Sequence, residues 1–236
     1  MILKELGKII FMSELGYKYI KIFKRTYFHP FITLKSAYKD LSSDRQSYSN
    51  SVLEFLNLEV ELIGQVPEKD KVLYAINHRS LLDIIVMENI FSQHNKNGTW
   101  IAKQELFDAF YGDFFKYSGC ISVDLETGKG LLKFFKEIKK TLSKIDDFNI
   151  YIFPEGERNK EDTILEFQSG AQKIAKANKL DIAPVFINDT LENVFKNAPY
   201  KEKKYIQVHI GELIEHKNLE DDYINFVKEI KGKDGE

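Results

Sequence analysis

Two short stretches hold the residues of this chain best suited to chemistry. "NHRSLLD" sets Asn77, His78, Arg79, Ser80 and Asp83 directly behind an apolar run. "FPEGER" sets Glu155, Gly156 and Arg158 behind another, "NIYIF". A loop histidine and an aspartate in the first turn of a following helix are able to meet. Asp83 would then accept the Nδ1 proton of His78 and leave Nε2 as a base toward a hydroxyl or thiol. Such a pair needs neither a metal nor a nucleophilic side chain, and it suits direct attack by a substrate hydroxyl on an activated acyl group. The same residues also fit a capping box, in which Ser80 caps the helix and Asp83 reaches back to the cap amide. In that reading His78 is a surface residue, and the spacing leaves both readings open. In the second stretch, a strand that delivers Glu155 and Arg158 to its carboxyl end fits a polar cleft, and Arg158 offers a forked donor for phosphate or carboxylate. An ordinary turn with solvated Glu and Arg also fits.

These residues need elements to hold them. Candidate strands are "LEVELIG" (58–64), "KVLYAIN" (71–77), "TWIA" (99–102), "CISV" (120–123), "NIYIF" (149–153), "IAPVFI" (182–187) and "YIQVHIG" (205–211). Helical periodicity runs between them, most clearly over 128–145 through Leu131, Phe135, Ile138, Leu142 and Ile145. Further helices follow Ser80, Ser169 and Leu219. This alternation predicts an α/β fold with a mixed, largely parallel sheet of about seven strands covered by helices. In such a sheet the loops at the carboxyl ends of the strands carry the site. Residues 1–56 read instead as an N-terminal helical hairpin, broken at "HPF" (29–31), ahead of the α/β domain at 57–236. Up to Lys39 the hairpin holds eight Lys or Arg against two Glu, interleaved with Phe11, Tyr17, Tyr19, Phe23, Tyr27, Phe28 and Phe31. A basic, aromatic helix pair of this kind fits an anionic membrane surface, and it equally fits packing on its own domain.

Composition narrows the function classes. The net charge of −2 disfavours nucleic acid as a partner. Cys120 is the single cysteine, so an intrachain disulfide and a cysteine-rich zinc site are excluded, and core packing suits it better than a nucleophile's role. His29 and His216 show no ligand spacing, His94 falls in the polar loop "SQHNKNG", His209 is expected on the polar face of its strand, and no metal is expected. No signal-peptide pattern opens the chain, and no run of about 18 apolar residues is present to span a bilayer.

Taken together, the two loops resemble the glycerolipid acyltransferase family, whose best-known members are the 1-acylglycerol-3-phosphate (lysophosphatidic acid) acyltransferases. That family carries an Asn-His, four residues, Asp motif and a later Phe-Pro-Glu-Gly-Thr-Arg motif. The blocks "AKQELF" (102–107), "GDFF" (112–115), "SGCISVD" (118–124), "FQSGA" (167–171) and "IAPVFI" (182–187) follow its pattern in order. The resemblance implies His78 as general base, Asp83 as its orienting partner, and Asn77, Ser80, Lys103, Glu155, Gly156 and Arg158 at the substrate, with Arg158 on the acceptor's phosphate. It implies no bound cofactor, acyl-CoA or acyl carrier protein (acyl-ACP) as co-substrate, and a lysophospholipid acceptor such as 1-acyl-sn-glycerol 3-phosphate in phospholipid biosynthesis. It also implies peripheral attachment at the cytoplasmic face of the membrane. Two positions depart from the family: Leu125 stands where Arg is usual and Glu157 where Thr is usual. Each removes a phosphate-friendly feature, and Glu157 is expected to compete for the Arg158 guanidinium, with Lys129 as a substitute cation. The departures favour, as alternatives, a non-phosphate acceptor (a lyso-aminolipid or glycolipid). A further alternative is a non-catalytic membrane-associated protein that binds lipid or acyl carrier.

Overall fold

The structure, a computed structural model, describes residues 2–110, 112–124, 127–159, 161 and 163–233. Leu125, expected beside the acceptor head group, lies outside them. The chain forms α1 (Ile2–Ile22), α2 (Leu34–Leu56), β1 (Leu58–Gly64), β2 (Val72–Ile76), α3 (Asp83–Gln93) and β3 (Gly98–Lys103). It continues with α4 (Gln104–Asp108), α5 (Gly112–Tyr117), β4 (Ile121–Val123), α6 (Gly128–Lys144), β5 (Asn149–Ile152) and α7 (Gly170–Asn178). β6 (Asp181–Ile187), α8 (Leu191–Lys196), β7 (Lys204–Ile210) and α9 (Leu219–Lys233) complete it. The expected seven strands and the N-terminal helix pair are all present; the short α4, α5 and α8 lacked the length to show a period in the sequence.

The strands join in one sheet of order β1-β7-β6-β2-β5-β3-β4. Every neighbouring pair is parallel except β6 and β7, which run antiparallel. The central strands β2 and β5 are buried along their whole length because helices cover both faces of the sheet. Alternation then divides their side chains. Tyr74, Ile76 and Tyr151 pack with Val86 and Phe91 of α3, whereas Leu73, Ala75, Ile150 and Ile152 pack with Phe134 and Ile138 of α6 and Ile174 of α7. On α6 the buried stripe is Phe134, Ile138, Thr141 and Leu142, with Leu131 and Phe135 only partly covered. Thr127 caps that helix, its hydroxyl accepting from the Gly130 amide at 3.0 Å.

α2 lies across the amino ends of the strands, the edge opposite the loops at 77–83 and 153–159. Its Lys35 pairs with Asp147 ahead of β5 at 2.9 Å, and Ser42 donates to Asn97 ahead of β3 at 2.8 Å. Arg45 reaches furthest inward. Its Nε donates to Glu88 of α3 at 2.7 Å, Nη1 to the Ser118 carbonyl and Nη2 to the Gly98 carbonyl, each at 2.9 Å. Buried contacts thus cross the 56/57 boundary. α1 packs on α2 through the Phe11–Phe55 stack and leaves Ile9, Ile10, Met12, Tyr17 and Ile20 exposed. Among the described residues no helix is long and apolar enough to cross a membrane.

Because Arg45 and Glu88 are both buried, Arg45→Met is expected to leave a carboxylate uncompensated and to cost about 3–5 kcal/mol. The double substitution Arg45→Met/Glu88→Met should recover most of that loss. Urea unfolding of the three proteins checks both expectations.

Candidate active site

β2 ends at Ile76, and the chain leaves the sheet through Asn77. The carboxamide of Asn77 is buried and turned sideways, accepting from the Ile187 amide at 2.8 Å and donating to the Ile187 carbonyl at 3.1 Å. It extends the β2–β6 pairing one step past the last strand pair, Ile76 with Val185. The loop that follows therefore starts from a fixed point.

His78 is the next residue, with its side chain 13% exposed. Its Nδ1 lies 2.9 Å from Asp83 Oδ2. That oxygen also accepts the backbone amides of Arg79 at 2.8 Å and Ser80 at 2.9 Å. An oxygen already taking two N–H groups must be an acceptor for the third partner, so Nδ1 carries the hydrogen and Nε2 holds the lone pair. Among the described residues Nε2 has no protein partner. One carboxylate oxygen makes the Asp83 contacts of both the capping and the imidazole-orienting arrangements: Asp83 is the first residue of α3, reaches back to the Ser80 amide, and holds the imidazole. The Ser80 hydroxyl is not the cap; it accepts from the Leu82 amide at 3.2 Å and is buried. Asn77 and Ser80, expected at the substrate, spend their polar side-chain atoms inside the protein and shape the loop from beneath.

The second loop closes on the first. Glu155 is buried; its Oε1 accepts the His78 amide at 2.8 Å and its Oε2 the Leu165 amide at 2.9 Å. Burial pushes the Glu155 carboxyl above its ordinary value; those two amides and the Arg79 guanidinium offset part of that shift, as would a positive charge on His78. The Asn159 amide donates to the His78 carbonyl at 2.7 Å, a second tie between the loops. Gly156 has φ +73°, and a Cβ there would lie 2.9 Å from Gln168 Cγ and 3.6 Å from Lys103 Cε, so both the turn and the crowding call for glycine. This brings Lys103, from the end of β3, beside the Glu155 loop. Arg158 and Glu157 are both exposed at the far end of that loop. Among the described residues no ion pair joins them.

Two groups escaped sequence reasoning. Arg79 is buried, its guanidinium 5.5 Å from the Phe186 ring centre and Nη1 3.5 Å from the Asn188 carbonyl. Phe153 lies flat against the His78 ring, with centroids 3.8 Å apart. Its aromatic character was visible in "FPEGER", but its partner was set by the β2–β5 pairing between segments distant along the chain. Cys120 sits against the Ser118 hydroxyl at 3.3 Å, and desolvation raises its thiol above the ordinary value, opposite to what a nucleophile needs. Among the described residues no cluster of His, Cys, Asp or Glu could hold a metal ion.

An imidazole oriented by a buried carboxylate, at the carboxyl edge of a mostly parallel sheet and with Nε2 free of protein partners among the described residues, is an arrangement suited to accepting a proton. The chain belongs to the Acyltransferase family, whose model matches residues 57–188. It is 36% identical over 149 residues to the 1-acyl-sn-glycerol-3-phosphate acyltransferase of Helicobacter pylori, covering 62% of this chain and 60% of that protein. It is 30% identical over 178 residues to the enzyme of the same name from Saccharomyces cerevisiae, covering 72% and 56% respectively. The chain thus spans between half and two thirds of the length of these relatives. The fold matches the crystal structure of the 1-acyl-sn-glycerophosphate (LPA) acyltransferase, PlsC, from Thermotoga maritima with a TM-score of 0.61. The two share 19% identity, with 97% of this chain and 93% of that one covered.

Glu155 serves two amide donors, and a carboxamide has only one acceptor atom. Glu155→Gln is expected to turn an NH2 against the His78 or Leu165 amide and to cost about 1–3 kcal/mol in chemical unfolding.

Proposed function

We propose that this chain is an O-acyltransferase that moves a fatty acyl group from a thioester donor, acyl-CoA or acyl-ACP, to the free hydroxyl of a lysophospholipid, 1-acyl-sn-glycerol 3-phosphate. The observation that carries the reading is the His78–Asp83 pair, with Nδ1 committed to the carboxylate and Nε2 left for substrate. In the reaction, Nε2 takes the acceptor hydroxyl's proton as that oxygen attacks the thioester carbonyl carbon. The carbon–sulfur bond then breaks, and the departing sulfur takes the proton from His78. An ester and a free thiol result, and the imidazole returns to its starting state. Asp83 keeps the tautomer fixed throughout and faces the positive charge that the ring holds between the two transfers. The names of the relatives support the glycerophosphate acceptor. Arg158, exposed at the end of the Glu155 loop without an ion-pair partner among the described residues, suits its phosphate.

Thiol release from acyl-CoA in the presence and absence of 1-acyl-sn-glycerol 3-phosphate tests this reading. His78→Ala is expected to lower turnover about 10²–10⁴-fold while the protein stays folded. Arg158→Ala should raise KM for the phosphorylated acceptor about tenfold or more and affect an unphosphorylated lysolipid much less. Release that is independent of acceptor, or retained by His78→Ala, overturns the assignment.

The N-terminal helices suit peripheral attachment to an anionic bilayer at the cytoplasmic face. Support comes from the basic balance of residues 1–39 and from exposed Ile9, Ile10, Ile20 and Phe31, the last 92% exposed. Substituting these four by Gln leaves buried contacts intact and should weaken sedimentation with anionic vesicles. Added salt should weaken it further, each lysine near the surface being worth about 1 kcal/mol. Sedimentation unchanged by both would exclude attachment through this surface.

A further inference from the structure

Contacts beneath His78 continue into the interior as a stack of rings. The imidazole lies on Phe153 with the planes 12° apart and centroids 3.8 Å apart. Phe153 is backed by Trp100 of β3, 25° from parallel and 5.1 Å away. The indole Nε1 of Trp100 donates to Glu88 Oε1 at 2.9 Å, and the same oxygen accepts from Arg45 Nε at 2.7 Å. Three rings thus run from the sheet edge inward, and the innermost is pinned by the buried ion pair that joins α2 to α3.

This arrangement answers a need that Asp83 leaves unmet. A single hydrogen bond at Nδ1 fixes the tautomer, but it permits the imidazole to rock about that bond. A flat ring held against its face removes the rocking and keeps Nε2 aimed in one direction. The electrostatics point the same way. When His78 holds the acceptor's proton it is a cation, and the π face of an aromatic ring attracts a cation lying over it. Asp83 meets that charge in the plane of the ring and Phe153 meets it from the face. A leucine in place of Phe153 would cover similar area without supplying either effect.

We propose that Phe153 is a positioning residue for acyl transfer: backed by Trp100 and anchored through Glu88 and Arg45, it holds the His78 ring in its reactive plane and stabilises the charge that ring carries between proton transfers. The kinetic part rests on the acyl-transfer reading above; the stack itself does not.

The test uses full-length protein carrying Phe153→Leu, Phe153→Tyr or Trp100→Phe. Phe153→Leu is expected to lower kcat about three- to thirtyfold with KM for acyl-CoA and acceptor within about twofold, the size of one face-on cation contact. Phe153→Tyr, which restores a ring, should keep most of the activity. Trp100→Phe, which keeps a ring but loses the anchor to Glu88, should fall between the two and carries the same expectation if Phe153→Leu does not fold. NMR supplies a readout independent of activity. The His78 ring protons, identified by their loss in His78→Gln, should resonate upfield through the ring current of Phe153 and move downfield in Phe153→Leu. A folded Phe153→Leu protein with unchanged kcat overturns the kinetic role, as does a Tyr variant no better than Leu. Ring-proton positions unmoved by Phe153→Leu overturn the stack. Wild-type protein with the stack but no transfer would instead overturn the acyl-transfer reading, and the role with it.

Discussion

One carboxylate oxygen organises this molecule's chemistry. Asp83 Oδ2 collects the His78 imidazole and the amides of Arg79 and Ser80, all within 2.9 Å. The two amides bend the loop back onto the first turn of α3, and the third contact sets the imidazole. Loop shape and imidazole orientation are therefore one event, since the loop cannot relax without releasing the ring. Charge-assisted hydrogen bonds are the strong class, and three on one buried atom leave little freedom. The remainder of the fold supplies this oxygen with a stationary frame. Asn77 locks the point where the loop leaves the sheet, Glu155 holds the His78 amide from the other side, and α3 carries the aspartate on a helix tied to α2 through Glu88 and Arg45.

How much of this was legible in the sequence follows from the range of each interaction. The strands announced themselves as apolar runs bounded by polar turns, and the His78–Asp83 pair as a local spacing, because both depend on residues close along the chain. The inward turn of Asn77 was not legible: its partner Ile187 is 110 residues away, and a polar residue at a strand end reads as part of the cleft. Nor was the burial of Arg45, set in a Ser-rich helix whose exposed and buried polar residues look alike. Glu88 showed no sign of its task, since an acid within a short apolar helix reads as its solvent side. Trp100 and Phe153 were visible as aromatics, but only the β3–β5 pairing puts them one behind the other. Asn77 and Ser80, expected at the substrate, are thus found with their side-chain polar atoms bonded within the protein.

The two edges of the sheet divide the labour. The carboxyl edge carries His78, Glu155, Gly156 and Lys103, while the amino edge is covered by α2 and, through it, by the apolar surface of α1. The path between them runs through a few buried groups: Arg45 to Glu88, Glu88 to Trp100, Trp100 to Phe153. An ion pair in an interior is costly unless its hydrogen bonds are filled, and here most of Arg45's donors are. Trp100, hydrogen-bonded to Glu88, links that pair to the aromatic stack.

The order of strands also sets a clock. β2, which leads into His78, has as its neighbours β5 and β6, and both are made much later along the chain. A ribosome releasing the chain from its N-terminus exposes His78 and Asp83 early, when their local pairing can form but nothing holds the loop's origin. The amide of Ile187 must emerge before Asn77 has its partner, and Glu155 and Leu165 before His78 has its second support. Closing such distant pairings is slow compared with forming helices. His78 and Asp83 are thus synthesised before every distant partner that holds their loop, and the arrangement around them is complete only once β6 has emerged.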